Sequence, residues 1–247
     1  WRETTAFAPE VVVAIGGGSV LDVGKSLCCL YGQELESLQA LREAITDGKL
    51  HPAAQWIGVP TTAGTGSEVT CWATIWDPER DAKRSVECRE NYAFAALVDP
   101  ELAAGMPVTL AVSSALDAAA HAVESYWAKG TNAVSRGLAL EAIRTIMGHM
   151  DGLLAGTMEA HEAMARGSML AGLAFSNTKT TACHSISYPL TMHCGIPHGA
   201  AVSMLLGPVF QLNAQALARP EPLLDALGVS SPEELAEKVC GILRRSG

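Results

Sequence analysis

Four side chains suited to a divalent cation fall in the second half of the chain: Asp117, His121, His184 and His198. Asp117 and His121 stand four apart in an Ala-rich stretch, 111–128, that reads as helix, so both leave one face and can converge on one ion. His184 opens another helical stretch, and His198 lies in Gly195-Ile196-Pro197-His198-Gly199, where Pro and Gly mark the turn into the next helix. One carboxylate and three imidazoles make a site for zinc or ferrous iron that leaves a coordination position for a substrate oxygen. His193 has no partner at a helical spacing, while His51, His149 and His161 fall in polar or helix-surface contexts that predict solvated side chains.

A second constellation lies near the start. Val11 to Ile15 runs into Gly16-Gly17-Gly18-Ser19 and then into a helical stretch with Asp22 and Lys25. Strand, tight turn and helix in that order suit a diphosphate: glycines let the backbone approach it, and the first N–H groups of the helix favour an anion. A dinucleotide or a nucleotide is the expected ligand. Gly24-Lys25-Ser26 resembles the end of a P-loop, so a P-loop nucleotide-binding protein is the rival of a different class. Its spacing is against it, because Ser19 stands where the first glycine belongs, and the GxGxxG pattern is not met either, with Leu21 at its last position. A further Gly-rich segment, Pro60-Thr61-Thr62-Ala63-Gly64-Thr65-Gly66-Ser67-Glu68, follows an apolar run, and its hydroxyls and amides suit a ribose or a nicotinamide carboxamide.

The elements that must position these residues change character near Met106-Pro107. Before it, short apolar runs read as buried strands over 11–15, 56–59, 69–76 and 93–98, between Gly-rich turns and helical stretches. After it, helical segments follow one another over 110–128, 132–150, 158–178, 181–192, 198–218 and 231–245, the last opened by Ser231, Pro232 and Glu234 as cap, first-turn proline and capping-box residue. The expected fold is a partial, Rossmann-like α/β dinucleotide-binding domain over 1–107 and an all-α metal-binding domain over 108–247. An α/β domain that opens on what reads as a central strand predicts flanking strands before it, so the chain reads as a piece of a longer one, truncated at the C-terminus as well.

The bulk numbers bound the function. A length of 247 residues with 49% hydrophobic content allows a sizeable core. A net charge of −9 argues against a nucleic-acid partner. No apolar run approaches the ~20 residues of a membrane span, and the opening residues lack the layout of a signal peptide. Seven cysteines without a CxxC pair suggest neither a disulfide framework nor a thiolate zinc site and fit a reducing cytoplasm, with small molecules and other copies of the chain as partners.

Together these motifs resemble the iron-containing, or group III, alcohol dehydrogenase family. Gly16 to Ser19 with Asp22 and Lys25 resembles its GGGSxxDxxK loop, and Pro60 to Glu68 its TTxGTGSE loop. Asp99-Pro100-Glu101-Leu102 with Met106-Pro107 resembles its DPEL...MP segment, Asp117 to His121 with Glu124 its DAxxHxxE helix, and His184, Pro189 and Pro197-His198-Gly199 its HxxxHP...PHG pattern. The resemblance implies the architecture shared with dehydroquinate synthases, and a metal-dependent, NAD- or NADP-linked alcohol dehydrogenase or aldehyde reductase, homodimeric and acting on a small alcohol or aldehyde. It carries the metal ligand role to Asp117, His121, His184 and His198. It carries cofactor contacts to Gly17, Gly18, Ser19 and Asp22 on the diphosphate side and to Thr61, Thr62 and Ser67 on the nicotinamide side. Lys83 and Leu97 occupy regions that touch the adenosine and the nicotinamide ribose. Family members are commonly longer at both ends, so the residue that selects NAD or NADP falls outside this chain. Tyr188 stands where many members have the second histidine of HxxxHP, near the reacting carbons. The stretch 176–191, with Lys179 as an anion contact, looks most like the branch that reduces phosphonoacetaldehyde. Glycerol dehydrogenases and dehydroquinate synthases are the rivals within the same architecture.

Overall fold

A computed structural model describes residues 2–33 and 35–247. The chain forms two units, Trp1–Thr61 with Ser67–Asp99, and Thr62–Gly66 with Pro100–Gly247. The helical unit therefore takes over at Pro100, a residue whose fixed φ suits the first turn of a helix.

The first unit contains α1 (Arg2–Phe7), β1 (Val11–Gly16), α2 (Gly18–Leu30), α3 (Leu38–Thr46), β2 (Gln55–Pro60), β3 (Trp72–Asp77), β4 (Ala82–Glu87) and β5 (Ala95–Ala96). β1, β2 and β5 make a parallel sheet in that order, and β3 and β4 a separate antiparallel hairpin. The β-branched run Val11-Val12-Val13 favours a strand, and its register, Val11 opposite Gln55 through Gly16 opposite Pro60, brings the carboxyl ends of both strands level. The turn after Gly16 and the loop after Pro60 consequently leave the same edge, where Thr61 donates its N–H to the Gly16 carbonyl at 2.9 Å. α2 lies directly on β1 because position 24 has no side chain: a Cβ on Gly24 would stand 2.7 Å from that of Ala14. Ala14, Leu21, Cys28 and Trp56 form the core beneath it.

Three strand expectations are corrected. The run at 69–76 begins as strand only at Trp72, because Ser67–Val69 forms a 3-10 turn. The run at 93–98 shrinks to the two residues of β5. β1 is not buried on both faces: Val12 and Ala14 face α2, whereas Val11, Val13 and Ile15 are exposed. β4 forms without an apolar run, its sequence AKRSVE being mostly polar, yet its Val86 is buried and faces the second small core with Cys29, Leu50 and Cys88.

Asp77, at the end of β3, joins that hairpin to α3. It accepts from Arg42 Nε at 2.8 Å, Arg42 Nη2 at 2.7 Å and Arg84 Nε at 2.7 Å. These charge-assisted bonds, first from Arg42 and then from Arg84, hold its carboxyl well below the usual carboxylate range. A depressed folded-state value means the stabilisation is complete above the unfolded carboxylate pKa of about 3.9 and is lost as pH falls through the folded value. Asp77→Asn is expected to lower stability at neutral pH and to flatten its decline below pH ~5; urea unfolding across pH 3–7 checks this, and an unchanged slope would contradict it.

The second unit is helical throughout: α4 (Pro100–Ala104), α5 (Val108–Trp127), α6 (Ala133–Gly148), α7 (Met150–Leu154), α8 (Met158–Ser176), α9 (Ala182–Cys194), α10 (His198–Met204), α11 (Leu206–Asn213), α12 (Glu221–Leu227) and α13 (Pro232–Ser246). α5 is apolar or small on every side, and fourteen of its residues are buried, so it runs through the middle of the unit against α6, α8 and α10. Caps follow the side chains: Asn132 Oδ1 accepts from Val134 N at 2.9 Å and Ser135 N at 3.0 Å, and Ser231 Oγ from Glu234 N at 3.2 Å, each cap contributing about 1 kcal/mol. The stretch 198–218 is broken at Leu205 into α10 and α11, and α12 is too short to show a period. His161 is buried on α8 rather than solvated. Among the described residues no helix is long and apolar enough to cross a membrane.

Candidate functional site

Helical periodicity puts Asp117, His121 and Glu124 on one buried face of α5. α9 brings His184 and, one turn later, Tyr188; a left-handed Gly195 (φ 67°) ends it, and Pro197 starts α10 at His198. Asp117 Oδ1 is 3.4 Å from His184 Nε2 and 3.9 Å from His198 Nε2. The ligand atoms of Asp117, His184 and His198 all lie within 4.8 Å of one another. His121, the fourth expected ligand, is outside that group of three. Its ring stacks on Phe175 at 4.2 Å and on His184 at 4.4 Å, which walls the group off from water on that side.

Whether these residues fit a divalent ion can be tested on the buried polar atoms. Asp117 Oδ1, His121 Nδ1 and His184 Nε2 are buried and make no hydrogen bond. Such atoms cost about 1–3 kcal/mol each when left unsatisfied, and a cation among them removes that cost. The donor set, one carboxylate oxygen with imidazole nitrogens, is that of ferrous iron or zinc. The residues therefore fit the ion.

Behind them stands Glu124, fully buried. Its Oε1 accepts from Thr181 N at 3.0 Å, Thr181 Oγ1 at 2.6 Å and Cys183 N at 2.8 Å, so a carboxylate caps the first turn of α9 where the helix dipole favours it. Its Oε2 contacts His184 Nδ1, which turns the other ring nitrogen of His184 toward Asp117. A carboxylate behind a metal-binding imidazole sets its tautomer and raises its basicity. Sequence reasoning placed Glu124 in the helix motif without assigning it this task; its position seven residues after Asp117, on the same face, was the available signal.

Electrostatics follow from burial and neighbours. Burial opposes charge on Asp117, but His121, His184 and His198 outweigh it and hold the carboxyl well below its ordinary range. Burial brings His121 down to about 4, which leaves a neutral imidazole at neutral pH. For His184 burial acts downward, yet Asp117 and Glu124 on either side raise it to about 9, so without a metal the ring holds a proton where a cation would sit. Tyr188 stacks on the His198 ring at 5.9 Å, and burial, with the charges of Glu124 and Asp117, pushes its phenol up to about 12. Lys179 stays exposed, in a left-handed turn (φ 64°) two residues before Thr181.

Close approach of α10 to α5 rests on one glycine. A Cβ on Gly199 would lie 2.1 Å from the Ser113 carbonyl oxygen. Gly199→Ala is expected to push α10 off α5, lowering stability by about 1–3 kcal/mol and weakening metal binding through the displaced His198. Unfolding curves with a zinc titration check both, and wild-type values would contradict the packing argument.

In the first unit, Gly17 is the N-cap of α2 without a side-chain cap, so the amides of Gly18 and Ser19 face outward from the helix start beside the level ends of β1 and β2. Asp22 and Ser67 bind each other rather than open solvent: Ser67 Oγ donates to Asp22 Oδ1 at 2.6 Å, and Thr74 N to Asp22 Oδ2 at 2.8 Å. Lys25 settles the P-loop rival. Its ammonium is fully buried, donating to Thr70 Oγ1 at 3.0 Å and the Trp72 carbonyl at 2.8 Å, and cannot reach a phosphate. Burial brings it down to about 8 against the pull of Asp22. Thr61 and Thr62 are half-buried where the chain passes between units. In the loop that follows, Gly66 (φ 59°) is required by packing, since a Cβ there would meet Gly172 Cα at 2.6 Å. Lys83 sits in β4 opposite Trp76, and Leu97 is exposed just after β5, its N–H on the Gly58 carbonyl at 2.8 Å.

Comparison with known proteins finds matches to both parts of the chain. A family model described as iron-containing alcohol dehydrogenase matches residues 2–100, and one described as the C-terminal part of the Fe-containing alcohol dehydrogenase family matches residues 111–245. The NADPH-dependent butanol dehydrogenase of Clostridium saccharobutylicum is 30% identical over 96% of this chain and 62% of its own length. The phosphonoacetaldehyde reductase of Streptomyces viridochromogenes is 34% identical over 86% of this chain and 55% of its own. Among solved structures, sulfoacetaldehyde reductase from Bifidobacterium kashiwanohense in complex with NAD+ superimposes with a TM-score of 0.90 at 30% identity, covering 100% of this chain and 66% of that one. The chain thus spans a little over half the length of these curated relatives.

Proposed function

Because this chain belongs to the iron-containing alcohol dehydrogenase family and has its α/β-plus-helical architecture, we propose that the protein it represents interconverts a small aldehyde and alcohol by hydride transfer to or from NAD or NADP. The observation that carries this reading is the convergence of Asp117, His184 and His198, with Glu124 behind His184. Ferrous iron or zinc, when bound, supplies Lewis-acid polarisation of a carbonyl or hydroxyl oxygen, and the nicotinamide supplies the hydride carrier. The chain's own residues do the rest. Asp117, His184 and His198 hold the ion, with His121 beside them as the fourth candidate. Glu124 keeps His184 Nε2 directed at it. Tyr188 retains its phenolic proton at neutral pH and can donate it to a developing alkoxide. The amides of Gly17, Gly18 and Ser19 bind the diphosphate, and Asp22 with Ser67 braces that turn. The same reading includes a cytoplasmic homodimer.

An aldehyde with an anionic tail is the substrate class we favour, since two relatives reduce phosphonoacetaldehyde and sulfoacetaldehyde and the exposed Lys179 offers a matching charge. Nicotinamide absorbance, followed with a panel of aldehydes and with zinc or ferrous iron restored after chelation, tests the reading. Metal-dependent oxidation of NADH or NADPH is expected, and its absence from a folded protein with every metal and both cofactors would count against it. Lys179→Ala is expected to raise KM for phosphonoacetaldehyde by about tenfold, the worth of one charge-assisted contact, while sparing a neutral aldehyde of similar size. Equal effects on both would remove Lys179 from substrate recognition.

A further inference from the structure

A second group of ligand-type side chains lies in the first unit and shares no residue with the Asp117 centre. Cys88 Sγ is 2.7 Å from Glu90 Oε2 and 3.8 Å from His51 Nδ1, and His51 Nδ1 is 3.7 Å from the same carboxylate oxygen. In a tetrahedral zinc site, with Zn–S of about 2.3 Å and Zn–N or Zn–O of about 2.0–2.2 Å, ligand atoms stand roughly 3.3–3.6 Å apart. Two of the three separations are already within a few tenths of an ångström of that, and the third opens by rotation of the exposed Glu90 side chain.

The backbone around the three ligands is pinned. His51 follows Leu50, and Cys88 is itself only 6% exposed; both Leu50 and Cys88 belong to the core shared with Cys29 and Val86. Glu90 lies in the 3-10 turn Arg89–Asn91, which is held from inside: fully buried Asn91 donates its side-chain amide to the Lys25 carbonyl at 3.1 Å and accepts Trp56 Nε1 on its backbone carbonyl at 3.1 Å. Two segments, one carrying His51 and one carrying Cys88 and Glu90, therefore deliver an imidazole, a thiol and a carboxylate to one surface point, their roots fixed by packing and their heads open to an incoming ion.

We propose that His51, Cys88 and Glu90 form a second cation site, selective for a borderline-soft divalent ion such as zinc, with water in the fourth position. Sulfur in the set disfavours magnesium and calcium, and a thiolate with a carboxylate balances a dication. On binding, the Cys88 S–H bond breaks, its proton leaves to solvent, and the sulfur lone pair forms the metal bond; no electron changes hands. The bound ion ties the segment before β2 to the end of β4.

Cobalt(II), standing in for zinc, provides the test on the full chain. A thiolate–cobalt charge-transfer band in the near ultraviolet is expected, which the sulfur-free Asp117 centre cannot produce. The band should vanish in Cys88→Ser. In His51→Ala and Glu90→Gln, both at exposed positions and each checked by a thermal melt, cobalt affinity should fall by more than the roughly 10- to 100-fold that an outer-shell loss costs. Equilibrium dialysis should leave one more zinc per chain on the wild type than on His51→Ala. An absent band, a band that survives Cys88→Ser, wild-type affinity in either exposed variant, or equal zinc on wild type and His51→Ala overturns the proposal without touching the dehydrogenase reading.

Discussion

His198→Ala is expected to abolish tight divalent-metal binding and turnover together while leaving the fold close to wild type. The His198 side chain is 36% exposed at the first position of α10, where alanine is a favourable helix residue, so the change should cost no more than about 1 kcal/mol of stability. The converging group, however, is reduced to Asp117 and His184, with His121 beside them. A lost ligand should cost at least the 100-fold that marks the upper end of outer-shell effects. Calorimetric zinc titration beside a thermal melt separates the two quantities. A variant with wild-type metal affinity and turnover would sink the assignment of His198, and a variant that melts far below wild type would mean that it supports the fold instead.

Glu124 should show a split between two substitutions. In Glu124→Gln the amide oxygen can still accept from Thr181 and Cys183, so α9 remains capped and the melt should stay near wild type. The amide nitrogen now donates to His184 Nδ1, which drives the ring proton onto Nε2, the atom that faces Asp117. An imidazole in that tautomer cannot ligate, and metal affinity should drop about 10- to 100-fold. Glu124→Ala should add a stability loss of about 3–5 kcal/mol, because buried donors and a buried imidazole lose their partner at once. If Glu124→Gln bound metal as the wild type does, the carboxylate would be a helix cap and nothing more.

Much of the centre was legible because the helix period is a local property. Asp117 and His121 at four residues had to share a face of α5, and Glu124 extends that face by another turn. The turn from β1 into α2 was legible for the same reason, being a continuous stretch whose glycines and following helix lie next to each other. Illegible were the features set by partners far away in sequence. Gly24-Lys25-Ser26 suggested a phosphate lysine, but the Lys25 ammonium is claimed by Thr70 and Trp72. β4 lacks an apolar pattern and exists because β3 pairs with it. Cysteine spacing argued against a thiolate metal site, since no CxxC is present, whereas folding brings Cys88 to His51.

Sequence by itself determined the order of α/β and helical halves, the glycine-rich turn into α2 and the residue types of the proposed metal centre, all of which depend on neighbours along the chain. Only the tertiary structure decided which atoms meet: that Asp117, His184 and His198 close up while His121 stacks beside them, that Glu124 orients His184, and that Asp22 and Ser67 brace each other. The reason is physical. Contacts between separate segments are set by how helices and strands pack, down to single positions such as Gly199 and Gly24 where one added Cβ would keep two elements apart.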